Sequence, residues 1–125
     1  MTFDRKSKGF YLRKIAGKRK IITICGSVIF EEYFRIVNAE LTIRGHIVLA
    51  PGIFNHNLLH KPHHVAETTK AKLDLLHKDK IEMSDAIFVI DVAGYTGDST
   101  KAELNYATEQ GKVIYWWSKG DLFKL

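Results

Sequence analysis

The chain has 125 residues, of which 46% are hydrophobic and 26% are charged, so it is long enough for one domain with a single core. It contains no apolar run of about 18 residues and no apolar N-terminal segment, which argues against a membrane protein or a secreted one and leaves a cytoplasmic location as the expectation. Its single cysteine, Cys25, excludes an internal disulfide.

The positive charge is concentrated at the N-terminus. The net charge is +5, but residues 1–20 hold eight Lys and Arg against one Asp, which leaves a net charge of −2 on the rest. We interpret residues 1–19 as a basic, solvated extension and residues 20–125 as the folded domain. The alternative is a nucleic-acid-binding arm, whose binding would depend steeply on salt and would disappear with the arm. We favour the first interpretation.

Two strands and a helix are predicted in the first half of the domain. Residues 21–25 form a β-branched run that ends at Gly26-Ser27, which is typical of a buried strand. Residues 30–44 place apolar side chains at helical spacing, and Gly45 follows as a stop signal. Residues 46–50 read as a second strand, closed by Pro51-Gly52.

A long loop and a second helix follow. Residues 51–66 are rich in His, Asn and Pro, and a loop of this length suits a lid over a site. Its histidines are His56, His60, His63 and His64. They lack the spacing and the cysteine partners of a zinc site, which favours a solvated loop. Residues 67–84 read as a helix whose inward face includes His77 but not Asp79.

The C-terminal third adds a strand at 85–91, a helix at 99–110 and a strand at 112–117. Strands that alternate with helices predict a parallel sheet with helices on both faces. We expect a flavodoxin-like (Rossmann-like) three-layer α/β sandwich with four or five strands in the order 2-1-3-4. Ligands of such sheets bind where the strand order reverses, outside the carboxyl ends of the strands. We therefore expect Cys25-Gly26-Ser27 and the loop at 94–99 to lie close together at the point where the strand order reverses.

The loop at 94–99 is rich in glycine and hydroxyl groups and opens the third helix, which carries Glu103. Its backbone N–H groups suit a phosphate or a sugar hydroxyl, and its candidate binding residues are Gly97, Asp98 and Ser99. The alternative for Glu103 is a capping box with Thr100, with Asp98 or Ser99 as other caps. The position of Glu103 at the switch point favours a catalytic role.

Three segments together resemble the nucleoside 2-deoxyribosyltransferase superfamily, and in particular its short branch, the deoxynucleoside 5′-monophosphate N-glycosidases. They are Ile24-Cys25-Gly26-Ser27, then Asp85-Ala-Ile-Phe-Val-Ile, then Ala102-Glu103-Leu104-x-Tyr106-Ala107. The resemblance covers residues 20–117 and leaves the N-terminal extension unmatched. These motifs are moderately specific together and weak singly.

The resemblance implies a role for each matching residue. Glu103 would attack the anomeric carbon of the sugar, and Gly26 and Ser27 would contact the sugar or its 5′-phosphate. Ser99 would help to hold the phosphate, and Asp98 would contact sugar hydroxyls. It also implies a nucleoside or nucleotide substrate, a homodimer or larger oligomer, and no metal or organic cofactor.

One position departs from the family pattern. Relatives often carry an aspartate near the base, eight residues before the aspartate that ends the second helix, and the count back from Asp85 reaches His77. Asp79 lies two positions away and points elsewhere. We expect His77 or Asp79 to protonate or orient the leaving base. Because the position of the family aspartate holds His77 here, a second interpretation stays open. In that interpretation the chain is a non-catalytic domain of the same fold that binds or senses nucleotides.

Overall fold

The computed structural model describes residues 19–52, 54 and 64–125, with side chains omitted for 64–67. The strands are β1 (Ile21–Gly26), β2 (Ile47–Leu49), β3 (Ala86–Ile90) and β4 (Val113–Trp116). The helices are α1 (Glu31–Ile43), α2 (His64–Met83) and α3 (Asp98–Glu109). Short 3₁₀ turns span Val28–Phe30, Val92–Gly94 and Asp121–Lys124. Residues 1–18 of the predicted extension, and His56, His60 and His63 of the predicted loop, lie outside the described residues.

The four strands form one parallel sheet in the order β2-β1-β3-β4, which confirms the predicted order. In the central pair, Ile24 of β1 lies beside Phe88 of β3, and Gly26 lies beside Ile90. The strand order reverses between β1 and β3, because the chain moves from β1 outward to β2 and returns to the other side of β1. The predicted switch point is therefore present.

Helices cover both faces of the sheet, as the flavodoxin-like three-layer fold requires. On one face, called here the α1 face, the apolar side of α1 packs on alternate residues of β1 and β3. Its buried residues include Phe34 and Leu41 of α1 with Ile24 and Phe88 of the strands. The period of 3.6 in α1 and of 2 in the strands brings these side chains into one layer.

The opposite face, called here the α2–α3 face, carries a smaller apolar core. Ile81 of α2 and Ala107 of α3 pack there with Cys25, Ile87 and Val89. Thr23 and His77 are also buried on this side of the sheet. Among the described residues, no helix is both long and apolar enough to cross a bilayer.

Candidate active site

A cleft of about 500 Å³ opens at the carboxyl end of β1, at the switch point of the sheet. Four segments line it: residues 26–28 after β1, Pro51 and Gly52 after β2, the inward face of α2, and the start of α3. Its volume lies in the range of small-molecule sites. The topology therefore brings the loop after β1 and the loop before α3 to the same cavity.

The cleft wall includes Gly26, the last residue of β1, and Ser27, which follows it. A Cβ on residue 26 would lie 3.1 Å from Ile90 Cβ and 3.3 Å from the ring of Phe34, so the close packing of β1 on its neighbours favours glycine there. Ser27 caps the following 3₁₀ turn, because its Oγ accepts a hydrogen bond from Ile29 N at 3.3 Å. Both residues thus have a structural reason to be present besides any contact with a ligand.

The start of α3 supplies Gly97, Asp98 and Ser99 to the same cleft. The structure does not form the capping box, the alternative role for Glu103: α3 begins at Asp98, its N-cap is Gly97, and no side chain caps it. Thr100 already lies inside the first turn, so Glu103 stands too far along the helix to reach the cap. Asp98 and Ser99 are exposed, as groups that contact a ligand must be.

Glu103 lines the cleft from the second turn of α3, with 20% of its side chain exposed. Its Oε2 atom is buried and has no hydrogen-bond partner among the residues that the structure describes. His77 Nε2 lies 3.4 Å from Oε2, at an orientation that makes no hydrogen bond. A buried carboxylate oxygen without a donor is rare in folded proteins, and such groups cluster at functional sites.

Cys25 lies behind Glu103 rather than in the cleft wall, since it is fully buried at the end of β1. Its Sγ is 3.3 Å from His77 Nε2, within hydrogen-bond distance. Burial first, and the nearby Glu103 carboxylate second, raise the pKa of the Cys25 thiol well above its usual range. The thiol therefore stays protonated at neutral pH. Its place in the Cys25-Gly26-Ser27 segment also makes Cys25 a candidate substrate-binding residue, but it is not among the residues that line the cleft.

His77 and Asp79, the two expected partners of the base, occupy different places. His77 is buried, and its Nε2 faces Cys25 and Glu103. Asp79 is exposed and is absent from the cleft lining. It lies instead near the phenol of Tyr106, whose pKa is raised chiefly by its hydrogen bond to Glu82 and to a smaller extent by the charge of Asp79. Residue 79 lies two positions beyond residue 77 on α2, a spacing that puts it on another side of the helix.

Sequence reasoning missed three charged residues of the cleft wall, Lys70, Asp74 and Lys80. Asp74 Oδ2 pairs with Lys70 Nζ at 3.2 Å, and Lys80 Nζ donates to the Ala50 carbonyl at 2.8 Å. Helical spacing could have identified them, because residues 70, 74, 77 and 80 follow one another at three- and four-residue steps and so lie on one side of α2. Asp74, not Asp79, is therefore the α2 carboxylate that faces the cleft with His77.

The cleft wall therefore combines the Glu103 carboxylate, a second carboxylate on α2 at Asp74, and the amino end of α3. Such a set can hold a polar ligand and act on an electrophilic carbon. No protein-family model matches this chain, and no curated protein is significantly similar to it.

Proposed function

We propose that this protein cleaves or transfers the N-glycosidic bond of nucleosides, deoxynucleosides or their 5′-monophosphates, through a covalent glycosyl ester on Glu103. The observation that carries the proposal is the Glu103 carboxylate itself, which lines the cleft while one of its oxygens has no hydrogen-bond partner among the described residues. A carboxylate oxygen that accepts no hydrogen bond keeps its electron pairs available for attack on carbon.

The reaction proceeds in two displacements. In the first, a Glu103 oxygen forms a bond to C1′ of the sugar while the bond from C1′ to the base breaks. The electron pair of that bond leaves with the base nitrogen, which takes up a proton from water in the cleft. The transition state resembles an oxocarbenium ion, and the adjacent carboxylate stabilises that positive charge. In the second, water or another base attacks C1′ and frees Glu103.

The surrounding charges suit the rest of such a substrate. Asp74 can accept hydrogen bonds from a base, and Asp98 can accept them from a sugar hydroxyl. The amino end of α3 at Ser99, together with Lys70 and Lys80, favours an anionic group such as a 5′-phosphate. His77 lines the cleft, but its Nε2 lies 3.4 Å from Glu103 Oε2, so its role in this proposal is to hold Glu103.

The decisive experiment incubates the full chain with a panel of nucleosides and 5′-monophosphates and follows free base by chromatography. Glu103→Gln should retain the fold and lower base release by roughly 10⁴-fold or more, as for other covalent nucleophiles. Glu109→Gln, an exposed change on the same helix, is the matched control and should keep full activity. Intact-mass spectrometry with a 2-fluoro-substituted substrate should show the trapped glycosyl ester on the unmutated chain.

Three outcomes contradict parts of the proposal. Unchanged turnover in Glu103→Gln removes the covalent mechanism. Ligand binding without base release by the unmutated chain favours the non-catalytic nucleotide-binding domain. Ser99→Ala should weaken a monophosphate more than its nucleoside, with the exposed Thr108→Ala as control, and an equal loss on both substrates removes the phosphate role of Ser99.

A further inference from the structure

Three potential metal ligands converge behind the cleft from three separate elements. Cys25 comes from the end of β1, His77 from α2 and Glu103 from α3, and their ligand atoms all lie within 4.8 Å of one another. Two of the three separations are much shorter: Cys25 Sγ to His77 Nε2 is 3.3 Å, and His77 Nε2 to Glu103 Oε2 is 3.4 Å.

These separations match the edges of a tetrahedral metal site. Zinc binds thiolate sulfur at about 2.3 Å and imidazole nitrogen or carboxylate oxygen at about 2.0–2.2 Å, which places neighbouring ligand atoms about 3.3–3.6 Å apart. The two short edges therefore match this range closely, and the third, which is no longer than 4.8 Å, closes when Cys25 and Glu103 approach each other on binding. Cys, His and Glu are also the residue types that zinc takes as ligands.

Hydrogen bonding alone does not satisfy this cluster. His77 Nε2 and the Cys25 thiol each carry at most one proton, and the contact between these two groups engages one of the two. Glu103 Oε2 is buried and accepts no hydrogen bond from any described residue. One cation among the three atoms would take an electron pair from each of them and would supply the missing partner of Oε2.

We propose that Cys25, His77 and Glu103 form a binding site for Zn²⁺, with the fourth coordination position open to the cleft. His77 and Glu103 both line the cleft, which gives the ion its route of entry. On binding, Cys25 loses its thiol proton to solvent and coordinates as thiolate. The thiolate and imidazole ligands select zinc over the hard cations Mg²⁺ and Ca²⁺.

The site has a consequence that rests on the proposed function. A Glu103 oxygen bound to zinc is no longer free to attack C1′, so zinc occupancy should stop base release. The enzyme would then work in its metal-free form, and zinc would act as an inhibitor that shares the nucleophile with the substrate.

Cobalt(II) provides a test that does not depend on activity. The chelator-treated full chain is titrated with Co²⁺, and its absorption spectrum is recorded. Because Cys25 is the only cysteine in the chain, a sulfur-to-cobalt charge-transfer band can come from no other residue. We expect that band together with the intense visible bands of tetrahedral cobalt, and Zn²⁺ should abolish both by displacement, whereas Mg²⁺ should not.

Variants then assign the ligands. Cys25→Ala should lose the charge-transfer band, and circular dichroism reports whether it remains folded. His77→Gln and Glu103→Gln should keep some thiolate signal but lose the tetrahedral visible bands. Replacement of His56, His60, His63 and His64 by Gln is the matched control for zinc bound elsewhere, and it should leave the spectrum unchanged.

The site is overturned if the unmutated chain gives no sulfur-to-cobalt band, or if His77→Gln and Glu103→Gln both leave the spectrum as it was. Base release separates this result from the proposed function. A metal site without glycosidase activity leaves the zinc site standing alone. Activity that survives both chelator and saturating Zn²⁺ in a chain that shows the cobalt spectrum removes the inhibitory role.

Discussion

The two faces of the sheet bury different kinds of side chain. The α1 face is apolar, and its buried cluster contains Phe34 and Phe88 among aliphatic residues. The α2–α3 face has a smaller apolar cluster and also buries polar groups, including Thr23, His77 and one oxygen of Glu103. Fold stability and a reactive site are thus separated onto opposite sides of the same strands, which the alternation of side chains along a strand makes possible.

Within the α2–α3 face, the polar groups again divide into two kinds. The Thr23 hydroxyl donates to the Lys80 carbonyl at 3.0 Å and contacts the Ser84 hydroxyl, so it is fully satisfied. Glu103 Oε2, by contrast, belongs to a residue of the cleft wall and has no hydrogen-bond partner among the described residues. The hydrogen-bonded polar groups stabilise the packing of α2 on β1. The Glu103 oxygen without a partner is available for chemistry, and we expect it to lower the free energy of unfolding of the protein.

The largest effect should come from the α1 face. Phe88→Ala removes a fully buried ring from the middle of β3 and should lower the free energy of unfolding by about 3–5 kcal/mol. Because the ring faces away from the cleft, base release per folded molecule should not change. Urea unfolding measures the first quantity and a turnover assay the second. Lost turnover in molecules that remain folded would contradict the separation of the two faces.

Thr23→Val tests the satisfied polar group of the α2–α3 face. It replaces the buried hydroxyl with a methyl group and should lower the free energy of unfolding by about 1–3 kcal/mol, because it removes the hydrogen bond to α2. Thr42→Val is the matched control: its hydroxyl also bonds a carbonyl, that of Asn38, but on an exposed turn of α1. An equal loss in both variants, measured by urea unfolding, would show that burial adds nothing at Thr23.

Glu103→Gln should act in the opposite direction on stability. It replaces a partly buried carboxylate with a neutral amide and should raise the free energy of unfolding by about 0.5–2 kcal/mol, as is common where function keeps a residue unsatisfied. The measurement is made in chelator, because bound zinc would stabilise only the unmutated chain. A clear loss of stability would mean that the contact with His77 is an ion pair that holds α2 to α3.

Asp121 gives the smallest effect and a pH dependence. The Lys124 ammonium and the Trp116 N–H both bond its carboxylate and lower its pKa. A lowered folded-state pKa means that ionised Asp121 stabilises the protein above its usual pKa, and that this contribution is lost as pH falls through the acid range. Asp121→Asn should cost about 0.5–1.5 kcal/mol at neutral pH, measured by urea unfolding, and less in acid. A cost that does not depend on pH would contradict this assignment.

Local sequence determined the elements and their order. The β-branched run of β1, the helical spacing in α1 and the glycines after α1 and α3 are short-range signals, and each bound of these elements lies within two residues of its prediction. Alternation of strands and helices then determined the parallel sheet and the switch point, because right-handed crossovers leave few other arrangements. The sequence also placed Gly26, Ser27, Asp98, Ser99 and Glu103 at one edge of the sheet.

Tertiary packing decided which side chains meet there. Helical spacing predicted that His77 lies on the inward face of α2 and that Asp79 does not, but it did not predict which side chains His77 meets. The contact of Cys25 with His77 joins residues 52 positions apart, so only the packing of α2 on β1 decides it. The same packing puts Asp74 in the cleft wall. The start of α3 at Asp98, one residue before its prediction, denies Glu103 the capping role that its sequence neighbours suggest. Local propensity fixes where elements lie along the chain, but the environment of one carboxylate oxygen depends on three elements that only the folded core brings together.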